Sequence, residues 1–322
     1  MSDSKWKSNL LSSSFPLEYE TARMLVSKGL SVSSEYTYNR RNDSGKDTDF
    51  SVDIHALGFT PFDDGNEVTS SLQILVECKH RTKQAKWLFL PDPNEEDLSP
   101  ITLGRTVNFI DSFSLFTLNK QSSIIFDKDL YASYKCIEIN GDQVYDKEIK
   151  HGISQLRYAL PRLIMDNILQ NIYNHPDENL PFIYCPILLT TAELYISDAD
   201  FSMQAVEEFL SVEDIGTKIP YLLFYSDFGP DFENHCRKQF EELNTIIEDD
   251  SFITLEKNIK DKKKHDYYVS ELSRLCHGLV NGEKYYLNQY FTQFIVCTFK
   301  EFPKLIDLIK ETVTSGIKKN NK

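Results

Sequence analysis

The chain contains 322 residues, of which 41% are hydrophobic and 26% are charged. These shares are ordinary for a folded soluble protein, and the length suits one large α/β domain or two smaller ones. No apolar run approaches the roughly 18 residues that a membrane-spanning helix needs, and the first residues lack the apolar stretch of a signal peptide. We therefore expect a cytoplasmic protein with no membrane partner. The net charge of −14 argues against a surface that attracts nucleic acid everywhere.

The first part of the chain predicts one helix followed by three strands. Residues 16–29 have helical periodicity and end at Gly29, a residue typical of helix C-termini. Alternating residues predict three strands, over 30–38, 51–59 and 71–80. The polar residues 39–49 predict a loop or hairpin connection, and residues 60–67 form a longer connection before the third strand.

The rest of the chain alternates between strands and helices after an irregular segment. Three prolines and a cluster of acids interrupt the pattern over 87–130, which we interpret as an insertion of short strands and loops. The later predicted elements are a strand over 134–140, a helix over 147–173, one or two buried strands over 182–196, a strand over 221–225, helices over 231–248 and 265–280, a strand over 290–299 and a helix over 302–313. Pro161 should kink or split the helix that contains it.

No Pro/Gly-rich linker divides the chain, so the pattern predicts one integrated α/β protein. We expect residues 1–230 to form the core and residues 231–322 to form an α-rich C-terminal extension packed on it. The late strand and the helix after it are expected to return to the first sheet.

Charged residues on two apolar strands are the most informative feature of the sequence. Asp53 lies in Phe-Ser-Val-Asp-Ile-His-Ala, and Glu77 and Lys79 lie in Ile-Leu-Val-Glu-Cys-Lys on the next strand. Because residues i and i+2 of a strand point to the same face, Glu77 and Lys79 should emerge together, away from Val76 and Cys78. Ionisable groups on strands this apolar need a cation, a partner or solvent. The arrangement suits a divalent cation beside a phosphodiester, although a solvated strand face would also place a Glu-x-Lys pair.

This pattern resembles the PD-(D/E)xK nuclease superfamily, although Val52 stands where the usual proline precedes the first acid. The resemblance implies an α/β fold with a restriction-endonuclease-like central mixed sheet flanked by helices. It also implies Mg²⁺, with Mn²⁺ as a substitute, held by Asp53 and Glu77. Lys79 would orient the attacking water or stabilise the transition state. The order helix–strand–strand–strand–helix–strand is that of the nuclease core.

The helix over 16–29 resembles the first helix of Mrr-like restriction enzymes, which often supplies another acid. Glu18 matches best, because Ala22 and Leu25 follow at helical spacing, and Glu20 is the alternative. Glu18 would complete the metal shell or hold a metal-bound water. A helix-surface acid favoured by the macrodipole is the structural alternative for Glu18.

Basic and polar residues near the motif are candidate substrate contacts. The segment 79–86 carries four Lys or Arg and no acid, so Arg81 and Lys83 are expected to contact phosphate. Gln155 and Tyr158 resemble the Gln/Tyr helix motif of recombination-type nucleases, with a spacing that differs by one residue; packing is their structural alternative. His55 shares the strand face of Asp53 and serves either the site or the fold.

Three function classes remain open from the sequence. The first is a Mg²⁺-dependent endonuclease acting on DNA or another nucleic acid, such as an antiviral restriction or phage-defence effector, with a homodimer or activator protein as its expected partner. The second is a nuclease-like fold that serves as a non-catalytic scaffold or regulator. The third is a different α/β enzyme, but phosphate-binding glycine loops and nucleophile or zinc motifs are missing. The six cysteines form no Cys-x-x-Cys pair, which argues against a zinc site or disulfide framework.

Overall fold

The computed structural model describes residues 5–41, 44–62, 68–91, 93, 108–109, 117–118, 131–173, 182–198, 200–262 and 272–318. Most of the predicted insertion over 87–130 therefore lies outside the described residues. No helix among those described is both long and apolar enough to cross a membrane.

The strands are β1 (Ser31–Arg41), β2 (Asp47–Thr60), β3 (Ser70–Lys79), β4 (Lys86–Pro91), β5 (Asn108–Phe109), β6 (Thr117–Leu118), β7 (Ala132–Asn140), β8 (Gln143–Tyr145), β9 (Phe182–Thr190), β10 (Glu193–Ser197), β11 (Gly216–Ile219), β12 (Tyr221–Tyr225), β13 (Gln293–Thr298) and β14 (Ile317–Lys318). The α-helices are α1 (Lys5–Ser12), α2 (Phe15–Ser27), α3 (Lys147–Tyr173), α4 (Met203–Glu208), α5 (Pro230–Phe240), α6 (Leu243–Ile246), α7 (Asp250–Lys262), α8 (Leu272–Asn281), α9 (Lys284–Phe291) and α10 (Phe302–Gly316).

Twelve of the described strands form one mixed sheet. Ten of them follow the order β1-β2-β3-β9-β13-β12-β7-β4-β10-β11, while β5 pairs with β9 and β8 pairs with β7. Strands β1, β2 and β3 form an antiparallel meander. Strand β9 then pairs parallel to β3, and α3 packs across β1, β2, β3 and β9.

Apolar layers cover both faces of this sheet. Helix α3 and helices α5–α9 of the C-terminal part pack on one face, and α2 and α10 pack on the other. Along β3, Leu75 belongs to the α3 layer, whereas Val76 and Cys78 belong to the α2 layer. Because side chains alternate, Glu77 and Lys79 project on the same side as Leu75, as the sequence pattern predicts.

Most predicted elements are present, and the late strand and helix do return to the first sheet. Strand β13 pairs with β9 on one side and β12 on the other, and α10 packs in the α2 layer. The buried run over 182–196 forms two strands, β9 and β10.

Several details of the sequence-based prediction differ from the structure. The helix predicted over 231–248 is two helices, α5 and α6, and residues 265–271 of the helix predicted over 265–280 lie outside the described residues. Helix α3 is unbroken, so Pro161 does not split it; the buried side chains around it hold the helix despite one lost backbone hydrogen bond. The connection predicted over 39–49 is shorter, because β1 and β2 extend into it. Arg40, in the extended part of β1, packs against both neighbours of this region: its guanidinium lies 4.5 Å from the ring centroids of Phe50 on β2 and Tyr158 on α3. The predicted late strand begins only at Gln293, because the residues before it end α9.

Candidate functional site

The centre of the site is the point where β2 and β3 separate. Their backbone ladder ends at the pair Ile54 and Val76, one residue before Asp53 and Glu77. Beyond it, the Cys78 amide donates to Asp53 Oδ2 at 2.7 Å. The carboxylate thus takes the place of a backbone carbonyl of β2 as the acceptor for the Cys78 amide. Strands β2 and β3 can therefore separate here without leaving this buried amide unpaired, which would cost free energy.

Glu77 and Lys79 emerge from β3 as a pair and are held by α3. Lys79 Nζ lies 2.7 Å from Glu77 Oε1 and 3.3 Å from Gln155 Oε1. The Gln155 amide in turn donates to the Ser51 carbonyl at 3.1 Å. The Lys79 ammonium is therefore fixed between a carboxylate on its own strand and an amide anchored to the neighbouring strand.

Glycine at position 152 permits this close approach of α3. A Cβ at Gly152 would lie 3.2 Å from Lys79 Cε, 3.5 Å from Glu77 Cγ and 2.5 Å from Leu188 Cδ1. Any side chain there would press on Lys79 and on the buried leucine. Sequence reasoning missed this residue, and a glycine inside an otherwise helical segment was the signal that pointed to it.

The N-terminal end of α2 closes the opposite side of the site. The His80 amide donates to Ser14 Oγ at 3.0 Å, which ties the start of α2 to the end of β3 and brings Glu18 to the site. The resulting cavity has a volume of about 500 Å³. It is lined by Ser12, Ser13, Ser14, Glu18, Asp53, Glu77, Cys78, Lys79, His80, Arg81, Lys147, Glu148, His151 and Gln155.

The three predicted acids are partly withdrawn from water, and the charge of Asp53 acts on both Glu77 and Glu18. Burial, reinforced by the charge of Asp53 and opposed by Lys79, raises the pKa of Glu77 to about 8. Burial and the charges of Asp53 and Glu35 raise the pKa of Glu18 to about 7. Burial also raises the pKa of Asp53, although its bond from the Cys78 amide opposes the rise. A bound cation would relieve all three effects.

The donor atoms fit a divalent cation held by two carboxylates. Glu77 is 1% exposed, and within the described chain its Oε2 has no hydrogen-bond partner. Asp53 engages one oxygen with the Cys78 amide. Among the described residues no three Asp, Glu, His or Cys side chains cluster closely enough to form a metal cage, so Glu18 lines the cavity without joining a three-ligand set. Mg²⁺ suits such a site, because one or two carboxylates plus water and phosphate are its usual ligands.

A fourth acid, Glu35, was not anticipated from the sequence. The register of β1 and β2 places it between Ser34 and Tyr36, across from Asp53. Its φ is 60°, which is uncommon for a residue with a side chain, and its charge raises the pKa of both Asp53 and Glu18. Nothing in the alternating sequence of β1 distinguishes Glu35, because backbone conformation at one strand position has no periodic signature.

The basic segment 79–86 is largely neutralised by acids of the protein itself. Lys79 pairs with Glu77, Arg81 with the buried Glu138, and Lys86 with Glu213. Lys83 is exposed and, among the described residues, has no ion-pair partner. The predicted basic edge is therefore much weaker than the count of lysines and arginines suggests.

Of the remaining predicted residues, Arg81 and Gln155 line the cavity, whereas Glu20, His55, Lys83 and Tyr158 do not. Tyr158 packs edge-on against Phe232 and beneath Arg40, as a core residue does. His55 bonds to Gln73 at 2.9 Å, and Glu20 and Lys83 are exposed away from the lining residues. Arg81 lines the cavity, but its guanidinium bonds to Glu138 and to the Tyr145 hydroxyl. Gln155 is the one member of the helix motif that contacts the site.

Comparison with protein-family models, with curated proteins and with solved structures finds no match for this chain. The chemistry of the cavity is therefore the basis on which a function is assigned.

Proposed function

We propose that this protein is a divalent-metal-dependent endonuclease that hydrolyses phosphodiester bonds of DNA, with restriction or phage defence as its role. One observation carries the proposal. Glu77, Asp53 and Lys79 line one cavity, and a buried oxygen of Glu77 has no hydrogen-bond partner within the described chain. A buried, unpaired carboxylate oxygen costs free energy that a bound cation removes.

The arrangement of elements supports a restriction-endonuclease-like interpretation of the fold. Helix α2 is followed by the meander β1–β2–β3, and α3 is followed by β9, which pairs parallel to β3. This is the order expected of the nuclease core, with β4–β8 inserted between β3 and α3. The acids lie where β2 and β3 separate, so a substrate would reach them at the ends of these strands.

Each residue has a role that follows from its contacts. Asp53 and Glu77 would hold Mg²⁺, or Mn²⁺ as a substitute, which when bound lowers the pKa of water and offsets charge on the phosphate. Lys79 is fixed by Glu77 and Gln155 and supplies a positive charge for the developing negative charge on phosphate oxygens. Glu18 lines the same cavity and would accept a hydrogen bond from the attacking water.

Cleavage of supercoiled plasmid with Mg²⁺ or Mn²⁺ tests the proposal. We expect nicked or linear product from the wild-type protein and none from Asp53→Asn or Lys79→Ala. The matched controls are Asp142→Asn and Lys257→Ala, which change exposed residues that do not line the cavity and should cut normally. Calorimetric Mg²⁺ binding should be lost in Asp53→Asn and retained in Lys79→Ala, because only the first removes a ligand charge.

The metal titration separates the alternative functions. Metal binding without cutting of plasmid, single-stranded DNA or RNA would favour a non-catalytic scaffold with a nuclease-like fold. Cutting that persists in both site variants would overturn the assignment of the site.

A further inference from the structure

Two aromatic rings lie exposed beside the cavity. Phe15 is 64% exposed and Tyr19 is 63% exposed, one turn apart on α2. Phe15 directly follows Ser14, and Tyr19 directly follows Glu18, and both of those neighbours line the cavity. The opposite side of the same helix is buried through Leu17, Thr21 and Leu25, so neither ring contributes to the core.

The exposed rings border the side of α2 that faces the cavity. Each residue of a helix turns by about 100°, so Glu18 lies about 100° from the buried Leu17. Phe15 lies about 60° beyond Glu18, and Tyr19 about 40° beyond Phe15. The two rings are offset by about 6 Å along the axis. Both rings therefore lie within about 100° of Glu18 on the surface of α2, at the helix end that borders the cavity.

Electrostatic attraction gives this site few cations for nucleic acid, chiefly Lys147 in the cavity lining and the exposed Lys83. The protein carries a net charge of −14, and three of the four cations in the segment 79–86 are paired with acids of the protein. Few counterions are then released when phosphate binds. A substrate must gain binding free energy from another source, and exposed aromatic rings supply it by stacking on bases.

We propose that Phe15 and Tyr19 stack on unpaired bases, so that the substrate presents single-stranded nucleic acid to the cavity. The inference rests on the proposed nuclease function and specifies the substrate class of the same site. Bases in an intact duplex already stack on one another and hide their faces, whereas bases of a single strand, flap or unwound end expose them. Arg23, one turn beyond Tyr19 and exposed, extends the same stripe with a cation.

Fluorescence anisotropy in EDTA tests the proposal without requiring cleavage. The probes are a labelled oligothymidylate and a blunt duplex of equal length. We expect the wild-type protein to bind the single strand at least about tenfold more tightly. The double variant Phe15→Ala/Tyr19→Ala should lose that preference, while Tyr285→Ala, which removes an equally exposed ring elsewhere (61% exposed), should keep it.

A second variant distinguishes stacking from simple apolar contact. Phe15→Leu/Tyr19→Leu keeps apolar area but removes the flat rings, so stacking predicts a loss of binding close to that of the alanine variant. Retained binding would overturn the proposal. Gel filtration of each variant adds another readout: a wild-type oligomer that dissociates in the alanine variant would assign the rings to an interface between copies and overturn the proposal.

Failure of this inference is distinguishable from failure of the proposed function. If the protein binds duplex and single strand equally, and the ring variants bind as the wild type does, the stacking proposal is wrong. If the same preparation still cleaves plasmid in a metal-dependent way, the proposed nuclease function is retained. Absence of both binding and cleavage overturns both.

Discussion

The backbone amide of Cys78 donates a hydrogen bond of 2.7 Å to Oδ2 of Asp53, where β2 and β3 separate. One oxygen of Asp53 therefore serves the fold, and two substitutions separate that role from the proposed binding of metal. Asp53→Asn keeps an acceptor for Cys78 and removes the charge, so we expect stability near wild type with loss of Mg²⁺ binding.

Asp53→Ala removes the acceptor as well and should cost about 1–3 kcal/mol of unfolding free energy, because the buried Cys78 amide loses its partner. Urea denaturation of both variants in EDTA measures the difference. Equal stability of the two variants would show that the Cys78 bond carries no weight in the fold.

Glu77 should make the stability of the metal-free protein depend on pH. Its ordinary pKa of 4.5 rises to about 8 in the folded state, chiefly through burial. Between these values the folded state binds more protons than the unfolded state, so the unfolding free energy falls as pH rises and the effect of this group levels off above about pH 8. Glu77→Gln removes this group. From pH 5 to pH 8 the unfolding free energy of the variant should therefore rise by at least about 1 kcal/mol relative to that of the wild type.

Denaturation at several pH values in EDTA checks this expectation. At pH 8, added Mg²⁺ should stabilise the wild type more than Glu77→Gln, since only the native site of the wild type retains both ligand charges. Parallel pH curves for the two proteins would contradict the assignment of the shift to Glu77.

Gly152→Ala should cause a large loss of cleavage activity with only a modest loss of unfolding free energy. Alanine favours a helix over glycine by about 1 kcal/mol, whereas overpacking against Leu188 costs about 1–3 kcal/mol, so we expect a net loss of at most about 2 kcal/mol. The new Cβ would also displace Lys79, whose Cε it approaches to 3.2 Å.

Adding Leu188→Val to Gly152→Ala relieves the closest contact and should recover stability without recovering cleavage. Thermal unfolding and plasmid cutting of the single and double variants give the comparison. Full activity in Gly152→Ala would show that the position of Lys79 is not limiting.

Arg157 should be structural, although it stands two residues from Gln155. Its guanidinium donates to the carbonyls of Phe291, Asp227 and Ser226, at 3.2, 2.8 and 2.5 Å, and so joins α3 to the C-terminal part. Arg157→Lys cannot reach all three acceptors and should lose about 2–4 kcal/mol.

The control for this prediction is Arg162→Lys on the same helix, whose side chain is 46% exposed. It should change unfolding free energy by less than about 0.5 kcal/mol. Guanidinium titrations of both variants decide the point, and similar midpoints for the two would contradict the role of Arg157.

Arg81 and Lys83 should respond oppositely to alanine substitution. Arg81→Ala leaves Glu138, which is fully buried, without its cation and should cost about 3–5 kcal/mol. Lys83→Ala should leave stability unchanged and weaken nucleic-acid binding, lowering the salt slope of the affinity by about one. Denaturation and salt-dependent anisotropy measure the two effects; a stable Arg81→Ala protein that no longer binds would restore Arg81 as a phosphate contact.

The sequence alone determines which segments form strands and helices and which side chains of each segment share a face. Alternation on β3 predicts that Glu77 and Lys79 share one side, and helical spacing predicts α2 and α3, because strand and helix geometry act over a few residues. Periodicity does not predict which residues distant along the chain come together in the fold. Gln155 approaches Lys79 from 76 residues away, and β13 enters the sheet beside β9 from more than 100 residues later.

Tertiary structure also decided which charges remain available. Arg81 and Lys86 look equivalent to Lys83 in the sequence, but each meets an acid, Glu138 or Glu213, that only folding brings near. Glu35 lies across from Asp53 in the register of β1 and β2 and has a positive φ, and neither feature has a periodic signal in the sequence. The order of residues thus determines short-range geometry. Burial and most ion pairs depend on partners distant along the chain, and they decide which charged groups of the site remain available to a ligand.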